Sequence, residues 1–298
     1  MKTTTTLLSL FAAVTFLTSC NETHKTEETT ETVATEASTT KGSLFIIGGG
    51  KRPPELVKEL MDLSKLEEED HYGVILPMSS SEPDSSAWYA RKQFTDLGVA
   101  ETKLAGFNFT KEHMPQAWID SVENASLVYI SGGDQNRFMG IVKGTPIATA
   151  IHKAYEQGAV IAGTSAGAAV MSKKMITGDE YKHPEYTGEF RTIEAENIEI
   201  AEGLGLAPEL IVDQHFIWRM RMNRLLSVAI EHPEEVAVGI DESTALIVDR
   251  NGYRTTGKSQ IIVVESRTDN LQTKNGLLGS DNLKVQVVLP GETFTIGN

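Results

Sequence analysis

Gly163-Thr164-Ser165-Ala166-Gly167 sets one hydroxyl among residues with almost no side chain. The spacing is G-x-S-x-G, the pattern of a nucleophile elbow. There a sharp strand-to-helix turn holds the serine clear, and the glycines avoid clashes with neighbouring backbone. Small residues packing a helix closely onto a sheet would have the same composition. The flanks favour the elbow: Ala159–Ala162 reads as a buried strand and a helical pattern begins at Ala166. The head of that helix would lie beneath Ser165, which makes the Ala166 N–H an oxyanion-hole donor.

A serine hydroxyl needs a base, and the base needs an acceptor to orient it. Six histidines lie beyond the N-terminal region: His71, His113, His152, His183, His215 and His232. Most sit among charged residues or near prolines. His215 instead follows the strand-like run Leu210–Gln214, which predicts a position at a strand end on the same rim as Ser165. A Ser…acid…His order would require Ser165, Asp213 and His232, but His232 sits at a helix end before Pro233. Directly after His215 come Arg219, Arg221 and Arg224. On a regular helix Arg221 and Arg224 share a face, and Arg219 points about 160° away from Arg221. Guanidinium forks beside a base suit carboxylate recognition, although a solvated basic face would also use them.

These groups need strands to carry them. Ser43–Ile47, Gly73–Pro77, Ser126–Ile130 and Ala159–Ala162 are short apolar runs. Three of them end in glycine-rich turns: Gly48-Gly49-Gly50, Ser131-Gly132-Gly133 and the serine turn. Helical patterns over Glu55–Leu66, Ala87–Leu97 and Thr145–Gln157 alternate with them. The expected fold is α/β, a mostly parallel sheet sandwiched by helices, with ligands at the carboxyl ends of the strands. After Pro233 the runs Val236–Ile240, Thr244–Asp249, Gly252–Gly257, Gln260–Glu265, Leu283–Val288 and Thr293–Ile296 predict a C-terminal antiparallel β extension. Asn251-Gly252 marks a hairpin within it. The triple glycine lacks the G-K-[ST] of a phosphate loop and reads as a structural turn. Gly178–Asn197, rich in glutamate, fits no pattern and is either a flap near the site or a variable loop.

Composition bounds the partners. A formal charge of −14 argues against nucleic acid. Residues 1–19 have the form of an export signal, with Lys2 and an apolar run from Leu7 to Leu17. Leu17-Thr18-Ser19-Cys20 resembles a bacterial lipobox, and Cys20 is the single cysteine of the chain. Lipidation there predicts an exported, cell-envelope lipoprotein held to a membrane by acyl chains. Residues 20–41, rich in Thr and Glu, read as a disordered tether. Residues 42–298 then form one α/β domain. No cofactor is expected, and no metal, since no cluster has ligand spacing.

Ser131–Gln135 (S-G-G-D-Q), Gly163–Met171, Gly203–Leu225 with D-Q-H-F-x-x-R-x-R-x-x-R, and Gly239–Leu246 (G-I-D-E-S-T-A-L) together resemble the cyanophycinase family of serine peptidases, related to aspartyl dipeptidases. The resemblance spans Gly42 to about Val264 and implies a class I glutamine-amidotransferase-like sandwich. It implies a substrate that is cyanophycin, a polyaspartate bearing β-linked arginine, released as β-Asp-Arg dipeptides. Ser165 is then the nucleophile, His215 the base and Glu242 the orienting acid; Asp241, next to it, is the alternative. Gly133 joins Ala166 in the oxyanion hole, and Gln135, Asp213, Gln214, Arg219, Arg221 and Arg224 line the substrate pocket. A homodimer is implied as well. Short aspartyl or isoaspartyl peptides are the other substrate class, and a non-catalytic receptor for Asp/Arg-rich peptides is the rival from another class.

Overall fold

The computed structural model describes residues 42–185, 187–266 and 271–297. The export signal, Cys20 and the tether lie outside the described residues. The first half alternates strand and helix: β1 (Ser43–Ile47), α1 (Pro54–Ser64), β2 (Gly73–Leu76), α2 (Pro83–Thr95), β3 (Leu104–Gly106), α3 (Gln116–Glu123), β4 (Leu127–Ile130), α4 (Gln135–Val142), α5 (Pro146–Glu156), β5 (Val160–Thr164) and α6 (Ala166–Ala169). There follow β6 (Lys174–Glu180), β7 (Ile198–Glu202), β8 (Leu210–Gln214), α7 (Met222–Glu231), β9 (Val236–Ile240), β10 (Thr244–Asp249), β11 (Gly252–Gly257) and β12 (Ile261–Ser266). The last strands are β13 (Gln272–Lys274), β14 (Leu277–Gly279), β15 (Leu283–Val288) and β16 (Thr293–Phe294).

Strands without polar residues must be covered on both faces, and these are. In β1, Leu44 and Ile46 pack into one apolar cluster with α3, α4 and α5, while Phe45 and Ile47 pack into another under α1 and α2. The main sheet has eight strands in the order β16-β11-β10-β1-β5-β4-β2-β3. From β1 to β3 its pairings are parallel, with Ile46 opposite Gly163 and Tyr129 opposite Ala162. The fold is thus the expected α/β sandwich on a mostly parallel sheet.

The expected C-terminal antiparallel strands divide between two sheets. β10 and β11 add antiparallel to the open edge of β1 in the main sheet. β9, β12 and β15 build a second, four-stranded sheet on β8. β8 therefore pairs in that second sheet, and His215 reaches the site from a different sheet than Ser165. A third apolar cluster, including Ile211, Phe216, Leu225 and Val264, joins α7 to the second sheet. The helix α4 was not anticipated; Asp134 caps it, its carboxylate accepting the N–H groups of Asn136 and Arg137.

Candidate active site

Only Ser165 separates β5 from α6. Its backbone sits at φ 54° and ψ −112°, a left-handed conformation rare outside glycine. The G-x-S-x-G spacing has a steric cause. A Cβ at Gly163 would come within 2.1 Å of the Gly167 carbonyl oxygen, and one at Gly167 within 2.3 Å of the Ile130 carbonyl oxygen. The first turn of α6 closes back on Ser165, whose carbonyl accepts from the Ala168 and Ala169 N–H groups. Ala166 heads this helix, where a backbone N–H has no intrahelical partner.

His215 follows β8 at φ 49°. Its Nε2 lies 2.9 Å from Ser165 Oγ, and its Nδ1 lies 2.6 Å from Glu242 Oε1. Glu242 occupies the turn between β9 and β10. The neighbouring Asp241 points elsewhere: its Oδ1 accepts from the Trp218 N–H at 2.8 Å and its Oδ2 from Ser259 Oγ at 2.7 Å. Of the two adjacent acids, Glu242 is the one that meets the imidazole. His232 lies beside Lys174 and Asp213 is bound to arginine, so the Ser165–Asp213–His232 arrangement is not assembled.

The turn Gly48-Gly49-Gly50 is the feature that sequence reasoning undervalued. Three successive carbonyls hold the three segments: Ile47 O accepts Ser165 N–H at 3.0 Å, Gly48 O accepts His215 N–H at 2.7 Å, and Gly49 O accepts Ser243 N–H at 2.9 Å. Gly49, at φ 113°, lies against the imidazole; a Cβ there would be 2.4 Å from His215 Cε1 and Nε2. A Cβ on Gly50 would meet the Glu242 carboxylate at 2.6 Å.

Burial lowers the His215 pKa below its ordinary 6.5; the Glu242 bond raises it, and the charges of Arg219 and Arg221 lower it again. The net direction is downward, so the ring is neutral at neutral pH and able to take a proton.

A cleft of ≈ 530 Å³ opens at Ser165, lined by Gln135, Gly178, Arg219, Arg221 and Arg224, with Gly133 and Gln214 also on its wall. All three arginines reach it because the segment before α7 is not a regular helix. Residues 216–221 form turns, and Met220 at φ 49° reverses the chain between Arg219 and Arg221. Asp213 does not line the cleft. It is buried and grips Arg224 through both carboxylate oxygens, with Nε at 2.8 Å, while Arg221 Nη1 stands 3.6 Å away. Arg221 also donates to the Gln214 carbonyl at 2.6 Å and to Gln214 Oε1 at 3.0 Å. Gln135 Nε2 donates to the carbonyls of Ile176 and Thr177, tying β6 to the rim. The segment between β6 and β7 covers the cluster: the Phe190 ring stands 4.3 Å from Arg224 Cζ, and Asn223 Nδ2 donates to the Phe190 carbonyl. Among the described residues no group of three His, Cys, Asp or Glu side chains could hold a metal ion. No helix among them is long and apolar enough to cross a membrane.

The model of peptidase family S51 matches residues 44–256, which include Ser165, His215, Glu242 and the three arginines. The chain belongs to this family. It is a serine-type peptidase. A cyanophycinase of Trichormus variabilis is 32% identical over 231 residues, 75% of this chain and 74% of its own length. One of Geminocystis herdmanii is 31% identical over 227 residues, 74% of this chain and 80% of its own. A solved peptidase from an acI-B1 Actinobacterium shares the fold at 20% identity, with a TM-score of 0.64 over 87% of this chain and 98% of that one.

Proposed function

We propose that this peptidase hydrolyses cyanophycin or short β-aspartyl peptides through an acyl-enzyme formed on Ser165. The observation that carries the reading is the unbroken chain Ser165 Oγ, His215, Glu242 at 2.9 and 2.6 Å beside a cleft walled by three arginines. His215 accepts the Ser165 proton as Oγ attacks the scissile carbonyl, and Glu242 steadies the imidazolium. The oxyanion rests on the N–H groups of Ala166 and Gly133, each worth about 3 kcal/mol. His215 then protonates the departing amine, and water, deprotonated by the same ring, releases the acyl group. The arginines hold substrate carboxylates and fix the register of attack.

The substrate class draws on the two relatives called cyanophycinases. The cleft favours an acidic acyl unit in either case, since arginine forks presented in a chain of net charge −14 select carboxylate. A fluorophosphonate probe labels Ser165 in the wild type and not in Ser165→Ala. The purified protein is then given cyanophycin, β-Asp-Arg peptides and α-aspartyl dipeptides; labelling with turnover of none of them overturns the substrate assignment. Export and acylation at Cys20 belong to the same proposal. Incorporation of a palmitate probe that is lost in Cys20→Ala supports it, and its absence from the wild type removes it. The implied homodimer is checked by light scattering on the soluble domain.

A further inference from the structure

Two clefts, not one, meet at Ser165. The second is ≈ 300 Å³ and lies on the opposite face of the main sheet, beneath α2; its walls include Arg52, Ser86, Tyr89, Tyr129 and Thr164. The two differ in one respect that matters for acyl transfer: His215 lines the second and not the first. Resting on the hydrolase reading above, the geometry points to a division of labour. The imidazole must hand its proton to the departing nitrogen, so that nitrogen lies within reach of Nε2. The chain beyond it continues into the space that the imidazole faces. We propose that the second cleft is the leaving-group subsite, and that Arg52 receives there a carboxylate carried by the departing residue.

Two independent features mark this cleft as a place for a polar ligand. Tyr129 is 1% exposed and Thr164 is 6% exposed, and both hydroxyls lack a hydrogen-bond partner among the described residues. A buried hydroxyl without a partner is costly, and two on one wall mark where a bound polar group completes the bonding. The second feature is the posture of Arg52. Its Nε donates to Gln93 Oε1 at 2.8 Å and its Nη1 to the Gly50 carbonyl at 2.9 Å. Those two bonds fix the guanidinium at the mouth of the cleft and leave Nη2 without a partner among the described residues. A guanidinium held this way has already lost its rotamer freedom, so a carboxylate gains the full bond on arrival. Tyr89 forms the exposed lip.

The departing residue can carry its carboxylate at the chain terminus or on its side chain. Three probes separate these: a common β-Asp-Arg acyl unit followed by alanine, by alaninamide, or by aspartic acid α-amide. The wild type should favour the alanine or the aspartic acid α-amide probe over alaninamide by roughly tenfold to hundredfold in kcat/KM, the worth of one charge-assisted hydrogen bond. Arg52→Gln should collapse that ratio toward one. A second readout needs no turnover: free aspartate slows fluorophosphonate labelling of the wild type and not of Arg52→Gln. Failure of the wild type to label at all sinks the hydrolase reading, and this proposal with it. A protein that labels, yet shows the same probe ratio and the same protection with and without Arg52, overturns the subsite alone. So does a protein that labels and shows neither discrimination nor protection.

Discussion

Gly49→Ala is the sharpest test of how the site is held. The added methyl would be 2.4 Å from two atoms of the His215 ring, where ordinary contact begins at 3.4 Å. Either the ring or the turn must retreat by about 1 Å, and a displacement of that size at a reacting group costs on the order of 10²-fold in rate. Retreat of the ring carries Nε2 away from Ser165 Oγ, which it now meets at 2.9 Å. Retreat of the turn instead loosens the Gly48 carbonyl from the His215 N–H, which reorients the same ring. The backbone adds its own penalty, since φ 113° is foreign to alanine and costs roughly 1–3 kcal/mol. The expected result is a kcat/KM loss of about 10² to 10⁴-fold, with a slower fluorophosphonate reaction and a lowered but cooperative melting transition. Gly140→Ala is the control: that glycine lies on the exposed face of α4 with nothing within 4 Å of the new methyl, so it should hold or slightly raise stability. Wild-type kcat/KM in a folded Gly49→Ala protein would refute the claim that this turn seats the imidazole.

Glu242→Gln should lower kcat by roughly 10⁴-fold with the fold intact, because the amide favours the wrong tautomer of His215. Asp241→Asn should act through the Trp218 turn and cost far less, as steady-state kinetics on the pair will show. kcat/KM should fall as pH drops through a midpoint below 6.5, since burial depresses the His215 pKa and protonation removes the base. Arg219→Gln removes a charge that lowers this pKa, so the acid limb should move to higher pH. Asp213→Ala removes the carboxylate that grips the buried Arg224 guanidinium and should destabilise the fold by about 3–5 kcal/mol, read from urea denaturation.

Much of this was readable in the residues because the signals were local. An apolar run that stops at glycine gives a strand and its turn without knowledge of neighbours, which is why β1, β4 and β5 and the serine elbow could be placed. What a strand joins is not a local property. Nothing in Leu210–Gln214 says that it pairs with Val236–Ile240 rather than with β5, so the residues put His215 at a strand end without naming the sheet that carries it. The arginines failed differently. Helical spacing assumed a regular backbone through Arg219, and Met220 breaks it with a left-handed step that no composition announces. Asp213 could have been placed better. Alternation along a strand sends Asp213 and Gln214 to opposite sides, so the two could not both face the cleft.

The glycine run after β1 explains why a site spread over two sheets can hold together at all. Ser165 comes from the main sheet, His215 from the second, and Glu242 from the turn that crosses between them. Apolar burial is non-directional, so it does not by itself set the register of the three segments. Three consecutive carbonyls do, each accepting one N–H from one segment. Hydrogen bonds are directional where apolar contacts are not, and their spacing is fixed by a single stretch of covalent backbone. That arrangement requires the backbone to lie in direct contact with the imidazole and the carboxylate, and a side chain at Gly49 or Gly50 would occupy the space they fill. Ile47 and the glycine turn that resembled an incomplete phosphate loop thus act as the jig on which nucleophile, base and acid are aligned.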